Sequence, residues 1–258
     1  MRKYFLLAIT LCLFGCNGEE DPLQFVDPRI GSGGHGHVFV GASVPFGMVQ
    51  LGPTSIPQGW DWCSGYHSSD STVIGFSHTH LSGTGIGDLF DVTVMPVTGE
   101  VNYARGVEED PLSGLWSYAD RSKEVALPGY YSVPLERYGV LAEMTATERV
   151  GIHRYTFPAS DDAALVFDLL NGGYSDHTSE TFIELVDSVS IAGWRHSKGW
   201  AKNQKQFFYA EFSKPFEAQL IDGEFISPRR GTHWDPPRFG TSFGRFGFKT
   251  AEGEQVLL

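Results

Sequence analysis

The chain has 258 residues, 41% hydrophobic and 19% charged, with 31 Asp and Glu against 19 Lys and Arg and a net charge of −12. No nucleic-acid partner is expected of so acidic a chain, because no basic stripe offsets phosphate repulsion. Its length admits one large domain or two small ones, and 14% aromatic residues with 31 Gly and 14 Pro favour many short strands cut by turns.

At the N-terminus, Arg2 and Lys3 precede an apolar run over residues 4–14, and Leu13-Phe14-Gly15-Cys16 resembles a lipobox. Residues 1–15 are therefore expected to be a lipoprotein signal peptide, with an apolar run too short to span a bilayer as a helix. Cleavage before Cys16 leaves that cysteine as the lipidation site. The lipid anchor then holds an exported protein on the outer membrane, at its periplasmic or cell-surface face. Of the three cysteines, Cys12 leaves with the leader and Cys16 takes lipid, so Cys63 stands alone. No intrachain disulfide is then possible, and the core must hold by burial. Residues 16–24 read as a polar tether, in which Glu19-Glu20-Asp21 fits either a surface-export signal or an ordinary solvated linker.

From residue 25 to 91 the chain is glycine-rich and is expected to be irregular, with short apolar pieces at 48–51 and 73–76; loops of this kind that carry Trp and His wrap sites. Strands are expected at 92–97, 130–135, 140–146 and 152–157 from period-2 alternation or β-branched content. The continuous apolar run at 163–170 fits a strand buried on both faces. Further strands are expected at 206–212, 216–221 and 245–249, while 181–189 suits a helix or a strand equally. Many short strands without alternating helices point to an all-β, antiparallel β-sandwich. The chain stops on the apolar run Gln255-Val256-Leu257-Leu258 with no turn to close it, so residues 25–258 are expected to be a domain truncated at its C-terminal end.

Within the glycine-rich region, Trp60-Asp61-Trp62-Cys63-Ser64-Gly65-Tyr66-His67 is followed by Gly75-Phe76-Ser77-His78-Thr79-His80-Leu81-Ser82-Gly83-Thr84-Gly85-Ile86-Gly87-Asp88. Indoles stack on the apolar face of a pyranose, and Asp and His hydrogen-bond its hydroxyls, so the composition is that of a sugar site. These stretches, preceded by Val26-Asp27-Pro28-Arg29-Ile30-Gly31, Gly33-Gly34-His35-Gly36-His37 and Gly41-Ala42-Ser43-Val44-Pro45-Phe46-Gly47, and followed by Ser197-Lys198-Gly199-Trp200-Ala201, resemble the N-terminal domain of glycoside hydrolase family 92. The resemblance implies an N-terminal β-sandwich followed by an (α/α)6 helical barrel in a calcium-dependent, inverting exo-α-mannosidase. It covers only the first domain. It places the general acid, the general base and the calcium mainly in the barrel, so no catalytic residue is expected in this chain and none of its own residues is assigned a metal.

Trp60, Asp61 and Trp62 lead the substrate-binding candidates; the resemblance matches Trp60 to an indole lining the sugar subsite beside the cleaved bond. On a strand Trp60 and Trp62 would share a face with Asp61 opposite, whereas a turn would bring all three to one rim. His78 and His80 are read as substrate- or partner-facing, with two alternatives: core imidazoles satisfied by backbone carbonyls of the Ser77 to Gly87 loop, or metal ligands with Asp88 or Asp91. His35 and His37 lie in a run that lacks the Lys and Ser/Thr of a phosphate loop and is expected to line the rim of a cleft. Cys63 is expected to be a buried, inert thiol. Arg195, His196, Lys198, Trp200 and Lys202 read as a basic and aromatic patch that is either solvated or, as the resemblance implies for residues 194–201, a family landmark packing against the barrel. Two functions follow: the substrate-lining domain of an exported α-mannosidase acting on mannose-containing glycans with the helical barrel as its partner, or a non-catalytic carbohydrate-binding lipoprotein.

Overall fold

Residues Val140–Ala146 alternate strictly, with Val140, Ala142, Met144 and Ala146 buried and Leu141 and Thr145 turned to solvent. That period of two gives a strand with one wet face. The structure, a computed structural model, describes residues 21–173, 175–225 and 238–258. The expected signal peptide and Cys16 lie outside the described residues.

The alternating strand belongs to a five-stranded antiparallel sheet in the order Glu254–Leu257, Gly151–Phe157, Val140–Ala146, Tyr130–Leu135, Val125–Leu127. Facing it is a seven-stranded sheet in the order Ala42–Ser43, Gln50–Thr54, Gly75–Ser77, Thr93–Thr98, Ser160–Asp168, Arg238–Thr250, Glu217–Phe225. The expected doubly buried strand is Ser160–Asp168, whose residues from Ala163 onward are all buried between Thr93–Thr98 and Arg238–Thr250. Aromatic rings close the gap between the two sheets, with Phe76 6.2 Å from Tyr155 and Phe157 edge-on to Phe248 at 5.5 Å between centroids. Each large apolar side chain sealed there stabilises the fold by about 1.5–3 kcal/mol.

A third antiparallel sheet, His177–Leu185, Ser190–Lys198 and Gln204–Glu211, packs through Phe208 onto Phe167 of the long sheet at 6.0 Å, and Phe212, just beyond its last strand, meets Phe246 at 5.3 Å. The segment that suited helix or strand is the first strand of this sheet. Its hairpin pairing with Ser190–Lys198, closed by Val186 N–H donating to Ser190 O at 3.0 Å, supplies backbone partners that an isolated helix would not have offered to the sheet.

One expectation changes. The glycine-rich region is not wholly irregular, since three of its short pieces form one end of the long sheet. At the described end of the tether, Asp21 accepts from Leu23 N–H at 3.0 Å and caps a 3₁₀ turn at Pro22–Phe25. Cys63 is buried in the fold and burial pushes its thiol up, as an inert thiol requires. Among the described residues no helix is long and apolar enough to cross a membrane.

Candidate carbohydrate site

Three loops from the glycine-rich region converge. In the first, Val38 N–H donates to Gly31 O, and a side chain at Gly36 would come within 2.1 Å of that same oxygen, so the tight turn between His35 and His37 needs glycine. The second is a single 3₁₀ turn at Trp60–Trp62 entered through Gly59. Neither a strand nor a common rim results: with three residues per turn, Trp60, Asp61 and Trp62 point in three directions.

Trp60 remains 54% exposed, yet it is fixed. Its Nε1–H donates to Gly85 O of the third loop at 2.9 Å, and its ring lies edge-on to His37 at 4.2 Å and 5.5 Å from His35. A side chain at Gly85 would press on both Trp60 and His37 at just over 3 Å, and its φ of +68° favours glycine as well. Asp61 Oδ1 receives both imidazoles, His35 Nδ1 at 2.6 Å and His37 Nε2 at 3.2 Å. The His35 hydrogen bond, more than any other influence, holds the Asp61 carboxyl below its usual range. The rigid indole face and the ionised acceptor thus lie side by side on a rim whose backbone cannot shift freely.

Trp62 turns inward instead. Its Nε1–H donates to Asp70 Oδ2 at 2.6 Å and its ring stacks on His67 at 4.4 Å, so this indole supports the loop. His78 and His80 depart from the expectation of substrate-facing rings. His80 is buried, with Nδ1 against Gln50 O at 2.8 Å and Nε2 against Thr54 Oγ1 at 3.1 Å, which leaves neither nitrogen for a ligand. His78 Nδ1 meets Val92 O at 2.7 Å and its Nε2 meets His153 Nε2 at 3.0 Å, while His153 Nδ1 meets Tyr155 Oη at 2.7 Å. The carbonyl forces a proton onto His78 Nδ1, so a neutral His78 accepts from His153, which in turn accepts from the Tyr155 hydroxyl. Burial lowers all three histidines, His80 to about 4, and keeps them neutral. Both rings are satisfied by carbonyls, as in the core alternative, but the carbonyls are those of Val92 and Gln50 and not of the Ser77 to Gly87 loop.

Within the basic and aromatic patch Lys198, Trp200 and Lys202 are exposed, and Arg195 departs from the solvated reading. Arg195 is fully buried and its guanidinium spans Asp91 Oδ1 and Asp176 Oδ2, each at 2.6 Å, while donating to Leu169 O and Thr178 Oγ1. Asp88 accepts from Trp200 N–H at 2.5 Å. Asp88 and Asp91 are therefore clamps that tie the third loop to the third sheet. Trp200 stays exposed.

Residues 25–258 match the Glycosyl hydrolase family 92 N-terminal domain. The chain belongs to glycosyl hydrolase family 92. A family 92 α-mannosidase from Bacteroides thetaiotaomicron, solved with mannoimidazole, is 34% identical with a TM-score of 0.79 over 91% of this chain and 31% of that one. An uncharacterized secreted glycosidase of Arthroderma benhamiae is 33% identical over 94% of this chain and 32% of its own. The family 92 inverting mannosidase from Bacteroides thetaiotaomicron VPI-5482, 22% identical with a TM-score of 0.68 over 93% of this chain and 31% of that one, shares the fold. The family 92 chain described here thus spans about a third of the length of these relatives.

In this family 92 domain, sequence reasoning missed that His35 and His37 serve Asp61; the His-Gly-His spacing was the available signal. Calcium, implied by the family, is a hard ion that takes six to eight oxygens, and the two nitrogens and one carboxylate gathered here do not fit it.

Proposed function

We propose that this chain forms the substrate-lining part of an exported α-mannosidase that removes terminal mannose from glycans with inversion. The observation that carries the reading is the half-exposed indole of Trp60, locked by Gly85 and His37 beside the ionised Asp61 in a family 92 domain. Trp60 supplies a flat apolar platform for a pyranose face, and Asp61, with Oδ1 engaged by the histidines, offers Oδ2 to a sugar hydroxyl.

An inverting glycosidase needs one carboxyl held protonated and one carboxylate across a gap that admits water. Asp61 is lowered rather than raised, which unsuits it for an acid. Burial does push Asp168 and Asp176 up, but Asp168 receives Asn171 and Asp176 lies against Arg195, both inside the fold. The family resemblance assigns the acid and base, and mainly the calcium expected of the complete enzyme, to a helical barrel, and the settings of Asp61, Asp168 and Asp176 agree with that assignment. The lipobox ending at Cys16 supports export to the outer membrane on a lipid anchor.

The test is turnover of an α-mannoside by the chain alone and by the same chain joined to a family 92 helical domain. No turnover alone and calcium-dependent turnover when joined is expected; hydrolysis by the chain alone would overturn the placement of the acid and base. A carbohydrate-binding lipoprotein would bind mannose through the same rim and gain no turnover from the added domain.

A further inference from the structure

We propose that His35, His37 and Asp61 form a binding site for a borderline transition metal of the zinc type, separate from the family's calcium. Their ligand atoms, Nδ1 of His35, Nε2 of His37 and Oδ1 of Asp61, all lie within 4.8 Å of one another. Two imidazoles and one carboxylate from one side are the donor set that nitrogen-preferring divalent ions take, with positions left for water or a substrate oxygen.

The pocket is organised for the task. His37 is buried, its ring orientation set by the Trp60 edge, and its backbone is held at a φ of +55° while its carbonyl accepts from Gly83 N–H at 2.6 Å. Such a conformation costs a non-glycine residue energy and persists only where the surroundings enforce it. Bonds of about 2.0–2.2 Å to a tetrahedral ion space ligand atoms about 3.3–3.5 Å apart. The 2.6 Å contact between His35 and Asp61 must open, and His35, with 77% of its side chain exposed, has room to turn. In exchange, the ion replaces the protons that hold two imidazoles on one carboxylate oxygen, so its affinity falls as the pH is lowered. The ion takes Oδ1 of Asp61 and a sugar hydroxyl would take Oδ2, so the two do not compete for one atom.

The experiment is titration of the metal-free full chain with cobalt(II), read by its visible absorption, and with zinc(II) against a chromophoric chelator, both without sugar. One equivalent of each is expected, with calcium failing to displace cobalt at equal concentration. His35→Ala and Asp61→Asn should each weaken binding at least ten-fold. His35 is exposed, so its replacement leaves folding intact, which near-ultraviolet circular dichroism verifies. Absence of stoichiometric binding, or wild-type affinity in folded His35→Ala, overturns the site. Because no sugar or turnover enters the measurement, its failure is distinct from failure of the mannosidase reading.

Discussion

Asp91 and Arg195 are 104 residues apart in the chain, yet a carboxylate oxygen and a guanidinium nitrogen meet at 2.6 Å with both side chains sealed from solvent. Asp91 Oδ2 also receives Thr79 Oγ1 at 2.8 Å and Gln204 Nε2 at 2.7 Å. The node joins the loop that follows His80 to the third sheet, and so fixes the glycine loop that carries Gly85 beneath Trp60. Arg195→Met keeps the side chain's volume but strands Asp91 and Asp176. Removing one partner of a buried ionic network costs about 3–5 kcal/mol, and a loss of that size should appear in the chemical denaturation midpoint.

Trp60→Ala should act on the ligand and not on the fold. Losing a stacked indole costs about 1–3 kcal/mol at about 25 cal/mol per Å², so in the complete enzyme kcat/KM should fall about ten-fold to a hundred-fold. The thermal midpoint should hardly move. Trp62→Ala, which removes the hydrogen bond to Asp70 and the stack on His67, should do the reverse. If Trp60→Ala melted early with normal activity per folded molecule, its indole would belong to the core.

Acid should destabilise the fold through His80. Burial lowers its folded value to about 4, from an ordinary value of 6.5. Between those values the unfolded chain binds the extra proton, so stability rises with pH across that window and is lost as pH falls through it. The contribution is about 3 kcal/mol at pH 7 relative to pH 4, and His78 and His153, both lowered by desolvation, add in the same direction. Denaturant unfolding at pH 7 and pH 5 should differ less in His80→Gln than in the wild type; an equal difference would remove His80 from the account.

The third sheet carries an aromatic outer face. Phe182 stacks on Trp194 at 4.4 Å, Phe207 lies beyond, and Phe182, Phe207 and Tyr209 are all exposed. Contiguous apolar faces of this kind drive association when no partner covers them. Hydrophobic-dye binding and concentration-dependent sedimentation are expected of the isolated chain, and Phe207→Ser should reduce both.

Lipidation is expected at Cys16. Labelled fatty acid should enter the wild type and not Cys16→Ala, and a wild type that stays soluble and unlabelled would make the leader an ordinary signal peptide.

Strand content was legible in the chain because alternation is a local property: Val140, Ala142, Met144 and Ala146 show it without any partner, and the Ala163-Ala164-Leu165-Val166-Phe167 run shows burial on both faces. The ordered motifs around His35, Trp60 and His80 were sufficient for the family. Their roles were not equally visible. Trp60 and Trp62 have the same side chain two residues apart, and only the 3₁₀ turn sends one to the rim and the other to Asp70. His78 and His80 looked available until the carbonyls of Val92 and Gln50, from other segments, occupied their nitrogens. Arg195 looked like a surface cation until Asp91 and Asp176 enclosed it. Composition and periodicity therefore determined the class of fold and the ordered motifs the family, whereas the fate of each polar side chain was decided by which distant partner the sheets delivered. A hydrogen bond or ion pair depends on a few ångströms between segments that the linear sequence leaves far apart.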